Sequence, residues 1–133
     1  MINQLMPAAS PRLLLVDDDP AVLDSLQFAL ELEGFAVDAF ASGETLMTGP
    51  QGVRHSIMVL DYRLPGMDGL SLLELLRQQG ETCPAVIITS NPTRALRKRT
   101  HQAGATLIEK PLLSDSLSAT IRDLLGKTAP NCE

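Results

Sequence analysis

The chain has 133 residues, 44% apolar and 20% charged, with nine glycines and nine prolines scattered along it. That is room for one globular domain, and it excludes disordered, collagen-like and disulfide-scaffold classes. Eleven Lys and Arg against 16 Asp and Glu leave a formal net charge of −5, which argues against direct nucleic-acid binding on bulk electrostatics. Apolar runs such as Leu13–Val16 and Ile57–Leu60 are far too short to cross a bilayer. The opening MINQLMPAAS carries no Lys or Arg and shows no secretory signal. Cys83 and Cys132 form neither a disulfide framework nor a metal motif, so a cytoplasmic, reducing setting is expected.

Residues 1–11 read as a flexible N-terminal extension. Leu13–Val16 then forms a first strand, followed by a helix whose stripe is Val22, Leu23, Leu26, Ala29, Leu30 and Glu33, ended by Gly34. Phe35–Phe40 is a weaker strand, and residues 42–49 a short second helix. Ile57–Leu60 is an unbroken apolar strand, as expected of a parallel strand covered on both faces. The third helix carries Leu70, Leu72, Leu73, Leu75 and Leu76, with Asp68 as cap and Gly80 as stop.

Ala85–Thr89 is the fourth strand. Residues 93–103 form a fourth helix with little to bury beyond Ala95, Leu96 and Ala103, which should make it the loosest element. After a brief strand, Thr106–Ile108, comes a last helix bearing Leu113, Leu117, Ile121, Leu124 and Leu125, stopped by Gly126. Residues 12–126 are therefore the domain and 127–133 a tail. Strict alternation of strand and helix implies an α/β domain: an open, mostly parallel sheet with helices on both faces.

In such sheets ligands bind beyond the carboxyl ends of the strands. The first strand runs into Asp17 and Asp18, the third ends at Asp61, the fourth at Thr89 and Ser90, and the fifth leads to Lys110 and Pro111. Three carboxylates in one crevice repel one another unless a cation joins them, and all-oxygen ligation favours a hard divalent ion, most simply Mg2+. Such an ion, with Lys110 and the Thr89 hydroxyl, would receive a tetrahedral dianion such as a phosphoryl group. Asp61, alone at the end of the middle strand, is the best nucleophile, giving an aspartyl phosphate.

The segments VDDDP, VLDYRLPGMDGL, VIITS and EKP together resemble the signatures of response-regulator receiver domains of two-component systems, in order and over roughly residues 12–125. The wording VDDDP…AFASGE…IEKP is similar to receivers of nitrogen-fixation-type transcription regulators, which normally carry a C-terminal helix-turn-helix. The resemblance implies a flavodoxin-like (βα)5 fold with strand order 2-1-3-4-5.

It also implies Asp61 as phosphoacceptor, Asp18 as a direct Mg2+ ligand, Asp17 acting through a metal-bound water, and the Arg63 backbone carbonyl as a further ligand. Thr89 would be the switch hydroxyl, Lys110 the phosphoryl partner, and Lys110–Pro111 a cis bond that aims the lysine. The donor would be a histidine kinase or phosphotransfer protein. Output would pass through the face made by the fourth helix, fifth strand and fifth helix, to a partner, a fused effector or a second copy on phosphorylation. Leu107 stands where the family usually has Tyr or Phe, and the stretch Ala105–Lys110 is about one residue short, so a leucine packing change would replace an aromatic one. Arg63 and Asn91 would tune water access to the phosphoryl group.

Other residues have plainer readings. Asp19 reads as a solvated first-turn carboxylate, Pro65–Gly66 as a turn, His55 and His101 as surface residues, and Cys83 as a small core or loop residue. The run Arg94, Arg97, Lys98 and Arg99 reads first as a solvated polar face and second as a docking face for an acidic partner.

A haloacid-dehalogenase-like phosphatase is also suggested by Asp17-x-Asp19, but that reading fails because only Asp115 and Asp123, both inside a helix, follow the lysine. A flavin or nucleotide module fails because three aspartates in the first loop would repel phosphate and no P-loop is present. No enzymatic activity is expected beyond self-phosphorylation from a donor and slow self-dephosphorylation. A docking-only receiver, not phosphorylated, is the alternative. The chain is expected as a stand-alone receiver or the receiver of a longer regulator.

Overall fold

The computed structural model describes residues 10–49, 52–110 and 116–128. Strands β1 (Arg12–Val16), β2 (Ala36–Phe40), β3 (Ile57–Asp61), β4 (Ala85–Thr89) and β5 (Thr106–Glu109) alternate with helices α1 (Pro20–Leu32), α2 (Gly43–Met47), α3 (Gly69–Gln78), α4 (Arg94–Gln102) and α5 (Ser116–Thr128). The strands form one parallel sheet in the order β2-β1-β3-β4-β5. The flavodoxin-like expectation holds, and the two strands with the weakest apolar runs are the edges.

Alternation along each strand sorts the core into two layers. Leu14, Val16, Met58, Leu60 and Ile87 face the leucines of α3 and Leu96 of α4. Leu13, Leu15, Ile57, Val59, Val86 and Ile88 face Leu30, Leu117 and Ile121 of α1 and α5. Each of these side chains contributes about 1.5–3 kcal/mol by leaving water.

Caps set the helix ends. Asp68 accepts from the Ser71 N–H at 2.7 Å and starts α3. Gly34 and Gly80, with φ of 103° and 100°, take the left-handed turn that ends α1 and α3.

Five expectations need correction. Gly126 does not stop the last helix, which runs on to Thr128; one glycine costs only about 1 kcal/mol against alanine within a helix. Asp19 is the N-cap of α1 rather than a first-turn residue, accepting from the Ala21 and Val22 N–H groups. Ala29 and Glu33 lie outside the α1 core stripe: Ala29 is exposed beside Phe28 and Leu32, and Glu33 binds Ser118 and Arg122 of α5. Hydrogen bonds to those two groups hold its carboxyl below the usual carboxylate range.

On α4 the buried residues are Leu96 and Thr100, whereas Ala95 and Ala103 are exposed. Thr100 is at home there because its hydroxyl donates to the Leu96 carbonyl at 2.8 Å. Finally, the His55 side chain is only 6% exposed, wedged between Glu81 (2.6 Å) and Asp38 (2.9 Å). Its polarity suggested a surface site, but two carboxylates satisfy it inside. His101 is exposed, as expected. The Pro111 bond, Leu113, Asp115, Cys132 and residues 1–9 and 129–133 lie outside the described residues.

Candidate functional site

Parallel register brings the polar residues together. Val16 pairs with Leu60, Asp61 with Ile88, and Thr89 with Glu109, so the residues that end or follow β1, β3, β4 and β5 share one edge of the sheet. Two backbone bonds lock that edge: Tyr62 N–H to the Ile88 carbonyl at 2.8 Å and Lys110 N–H to the Thr89 carbonyl at 2.7 Å.

Asp17 is fully buried, Asp61 is 5% exposed and Thr89 3% exposed, while Asp18 faces solvent. Carboxylate oxygens of Asp17, Asp18 and Asp61 all lie within 4.8 Å of one another. The Lys110 ammonium sits 3.5 Å from Asp17 Oδ2 and 3.4 Å from Asp61 Oδ2. Asp17 Oδ1 accepts from the Asp19 N–H, but the buried Asp17 Oδ2 has no hydrogen bond.

Burial first, and then the neighbouring Asp17 charge, push the Asp61 carboxyl up to about 6; Lys110 and the Arg63 N–H pull it the other way. The arrangement is short of positive charge. Its donor set fits a hard divalent cation: three carboxylates, one with an orphaned buried oxygen, and no sulfur or imidazole.

The structure therefore brings Asp17, Asp18, Asp61, Thr89 and Lys110 to one crevice, as expected. The Thr89 hydroxyl accepts from the Asn91 N–H at 3.3 Å. Arg63 lies on the same loop, where its backbone bridges to Asp68. Leu107 packs half-buried against the α3/α4 layer.

Two residues of this region were not singled out from the sequence. Gly69, at the start of α3, lies so close to β3 that a Cβ would sit 2.4 Å from the Asp61 carbonyl oxygen. Its place after the capping Asp68 was the available signal, but nothing in one sequence separates close approach from a turn. Tyr62, next to Asp61, sends its hydroxyl to Arg99 of α4 at 3.2 Å, a contact between residues 37 apart that no local pattern announces.

Fold and site define a receiver, and the chain belongs to the response regulator receiver domain family, whose model matches residues 13–122. It is 32% identical over 117 residues to the transcriptional regulatory protein FixJ of Bradyrhizobium diazoefficiens, covering 87% of this chain and 57% of that one. It is 34% identical over 122 residues to response regulator MprA of Mycobacterium bovis, covering 91% and 53%. The chain spans about half the length of the curated relatives it matches.

Among solved structures it is similar to a CheY-like receiver domain protein from Methanospirillum hungatei, with a TM-score of 0.82 at 28% identity over 89% of this chain and 95% of that one. Full-length FixJ from B. japonicum gives 0.81 at 30% identity, covering 93% and 62%. Among the described residues no helix is long and apolar enough to cross a membrane.

Proposed function

We propose that this receiver is phosphorylated on Asp61 by a histidine kinase or phosphotransfer protein of a two-component phosphorelay and acts as an input switch for transcription regulation. The observation that carries this reading is the buried Asp17–Asp61 carboxylate pair, which has an unsatisfied oxygen and, among the described residues, Lys110 as the one cation paired with it. Such a crevice is poor as a resting structure and good as a receptor for a dianion with its counter-cation.

Asp18 and Asp61, with Asp17 through a water and the Arg63 carbonyl, would hold Mg2+, which supplies charge neutralisation at the phosphoryl oxygens. The side chains do the rest. An Asp61 carboxylate oxygen bonds to phosphorus while the donor's P–N bond breaks. The bonding electron pair stays with the imidazole, which takes up a proton. Lys110, already within 3.5 Å of both carboxylates, pairs with a phosphoryl oxygen. The Thr89 hydroxyl, now an acceptor from Asn91, turns to donate to another.

The added charge repacks the α4–β5–α5 face toward a partner, an effector domain or a second copy. Beyond taking and slowly losing the phosphoryl group, the domain catalyses no reaction. The convergence of Asp17, Asp18, Asp61 and Lys110 supports this reading over a docking-only receiver, which would need none of them.

The test is intact-mass spectrometry after incubation with acetyl phosphate, with and without Mg2+, on wild type and Asp61→Asn. One added phosphoryl group that needs both Mg2+ and Asp61 supports the reading. No gain, or a gain that survives Asp61→Asn, overturns it.

A further inference from the structure

We infer that Arg99 is a tether holding α4 to the acceptor loop, and that the Tyr62 hydroxyl is the contact through which the state of Asp61 releases it; this rests on the phosphorylation of Asp61 proposed above. Tyr62 directly follows Asp61, and its backbone cannot travel: its N–H is bonded to β4 at Ile88 and its carbonyl accepts from the Gly69 N–H, both at 2.8 Å. Only its ring is free to respond. The ring is half-buried against the α3/α4 layer, and its hydroxyl accepts from Arg99 Nη1.

Arg99 also approaches Asp68, 3.8 Å from Oδ2. Asp68 in turn caps α3 and bridges Arg63, two residues past the acceptor. One arginine thus links α4 to both ends of the acceptor loop. Its share of the attachment is large because α4 itself buries only Leu96 and Thr100.

Tyr62 also has somewhere to go. A cleft of about 210 Å³ beside Thr89 is lined by Tyr62, Leu96 and Arg99 among others. An inward turn of Thr89 toward a phosphoryl group enlarges that side of the cleft, and the Tyr62 ring moves in and leaves Arg99. Leu107 is too short and apolar to make a hydrogen-bonded link of its own, so the polar signal leaves from the β3 side of the crevice. α4 then loosens, which lets its basic face, already open to solvent, reposition toward a partner.

The full chain has one tyrosine and no tryptophan, so its intrinsic emission reports Tyr62 alone. Emission and hydrogen exchange of the α4 amides are followed with acetyl phosphate and Mg2+, with the degree of loading read by intact mass on the same sample. In wild type, loading changes the emission and speeds α4 exchange about threefold to tenfold, the loss of one or two modest hydrogen bonds.

Arg99→Ala, at a half-exposed side chain, takes up phosphoryl to the wild-type extent, but its α4 already exchanges fast and loading adds no further change. Tyr62→Phe gives the same exchange pattern. A merely structural arginine would loosen α4 and leave the response to loading in place. Loaded wild type with unchanged emission and exchange overturns the inference, as does an Arg99→Ala variant that still responds like wild type. A chain whose mass shows no phosphoryl gain overturns the phosphorylation reading itself and this inference with it.

Discussion

Asp61→Asn should stabilise the metal-free domain at neutral pH even as it removes the proposed acceptor. The Asp61 carboxyl rises from 3.8 to about 6, driven first by burial and second by Asp17. A raised carboxyl holds its proton in the folded state after the unfolded chain has lost it. Folding stability from this group therefore falls as pH climbs from the unfolded value to the folded one, and is level above it. Two units at ~1.4 kcal/mol each make a penalty of roughly 3 kcal/mol.

Asparagine never pays that charge penalty, although its buried amide takes back roughly 1 kcal/mol. The variant should therefore pull ahead of wild type by roughly 2 kcal/mol between about pH 4 and pH 7. Urea unfolding followed by circular dichroism without divalent ions measures the gap, and carboxylates remote from the crevice cancel between the two proteins. Added Mg2+ should close the gap by binding the folded wild type more tightly. A gap flat across pH, or one that shrinks as pH rises, would refute the repulsive-pair account.

Lys110→Ala should cost the metal-free domain about 3 kcal/mol at neutral pH, because two buried carboxylates lose the cation that faces them; urea midpoints with and without Mg2+ check this, with the smaller loss expected when Mg2+ is present. Gly69→Ala should cost about 1–3 kcal/mol and lower the acetyl-phosphate labelling rate, since its Cβ would press on the Asp61 carbonyl and push β3 aside. His55→Ala should cost about 1–3 kcal/mol by leaving the buried Glu81 short of a partner, with labelling at Asp61 unchanged because this cluster lies away from the crevice. A labelling defect in that variant would show that the two ends of the sheet are linked.

Much of this protein was written in its local patterns. Parallel strands buried on both faces must be continuously apolar, so Leu13–Val16, Ile57–Leu60 and Ala85–Thr89 announced themselves, and the weaker runs marked the edges. Polar residues directly after such runs must emerge at one edge of a parallel sheet. The sequence alone thus gathers Asp17, Asp18, Asp61, Thr89 and Lys110 at that edge.

What the tertiary structure alone decided are pairings across long stretches of chain, which no period encodes. His55 became interior because Asp38 and Glu81 meet it from two other segments. Gly69 became obligatory because α3 starts against the Asp61 carbonyl. Glu33 left the α1 core stripe for α5, 85 residues away at Ser118. Tyr62 met Arg99 only once α4 had packed against β5 on the α3 side of the sheet. The apolar pattern depends on which face of an element is buried, a local property repeated every two or 3.6 residues. The partner of a buried polar group depends on which element packs there, and only the assembled sheet and helices supply it.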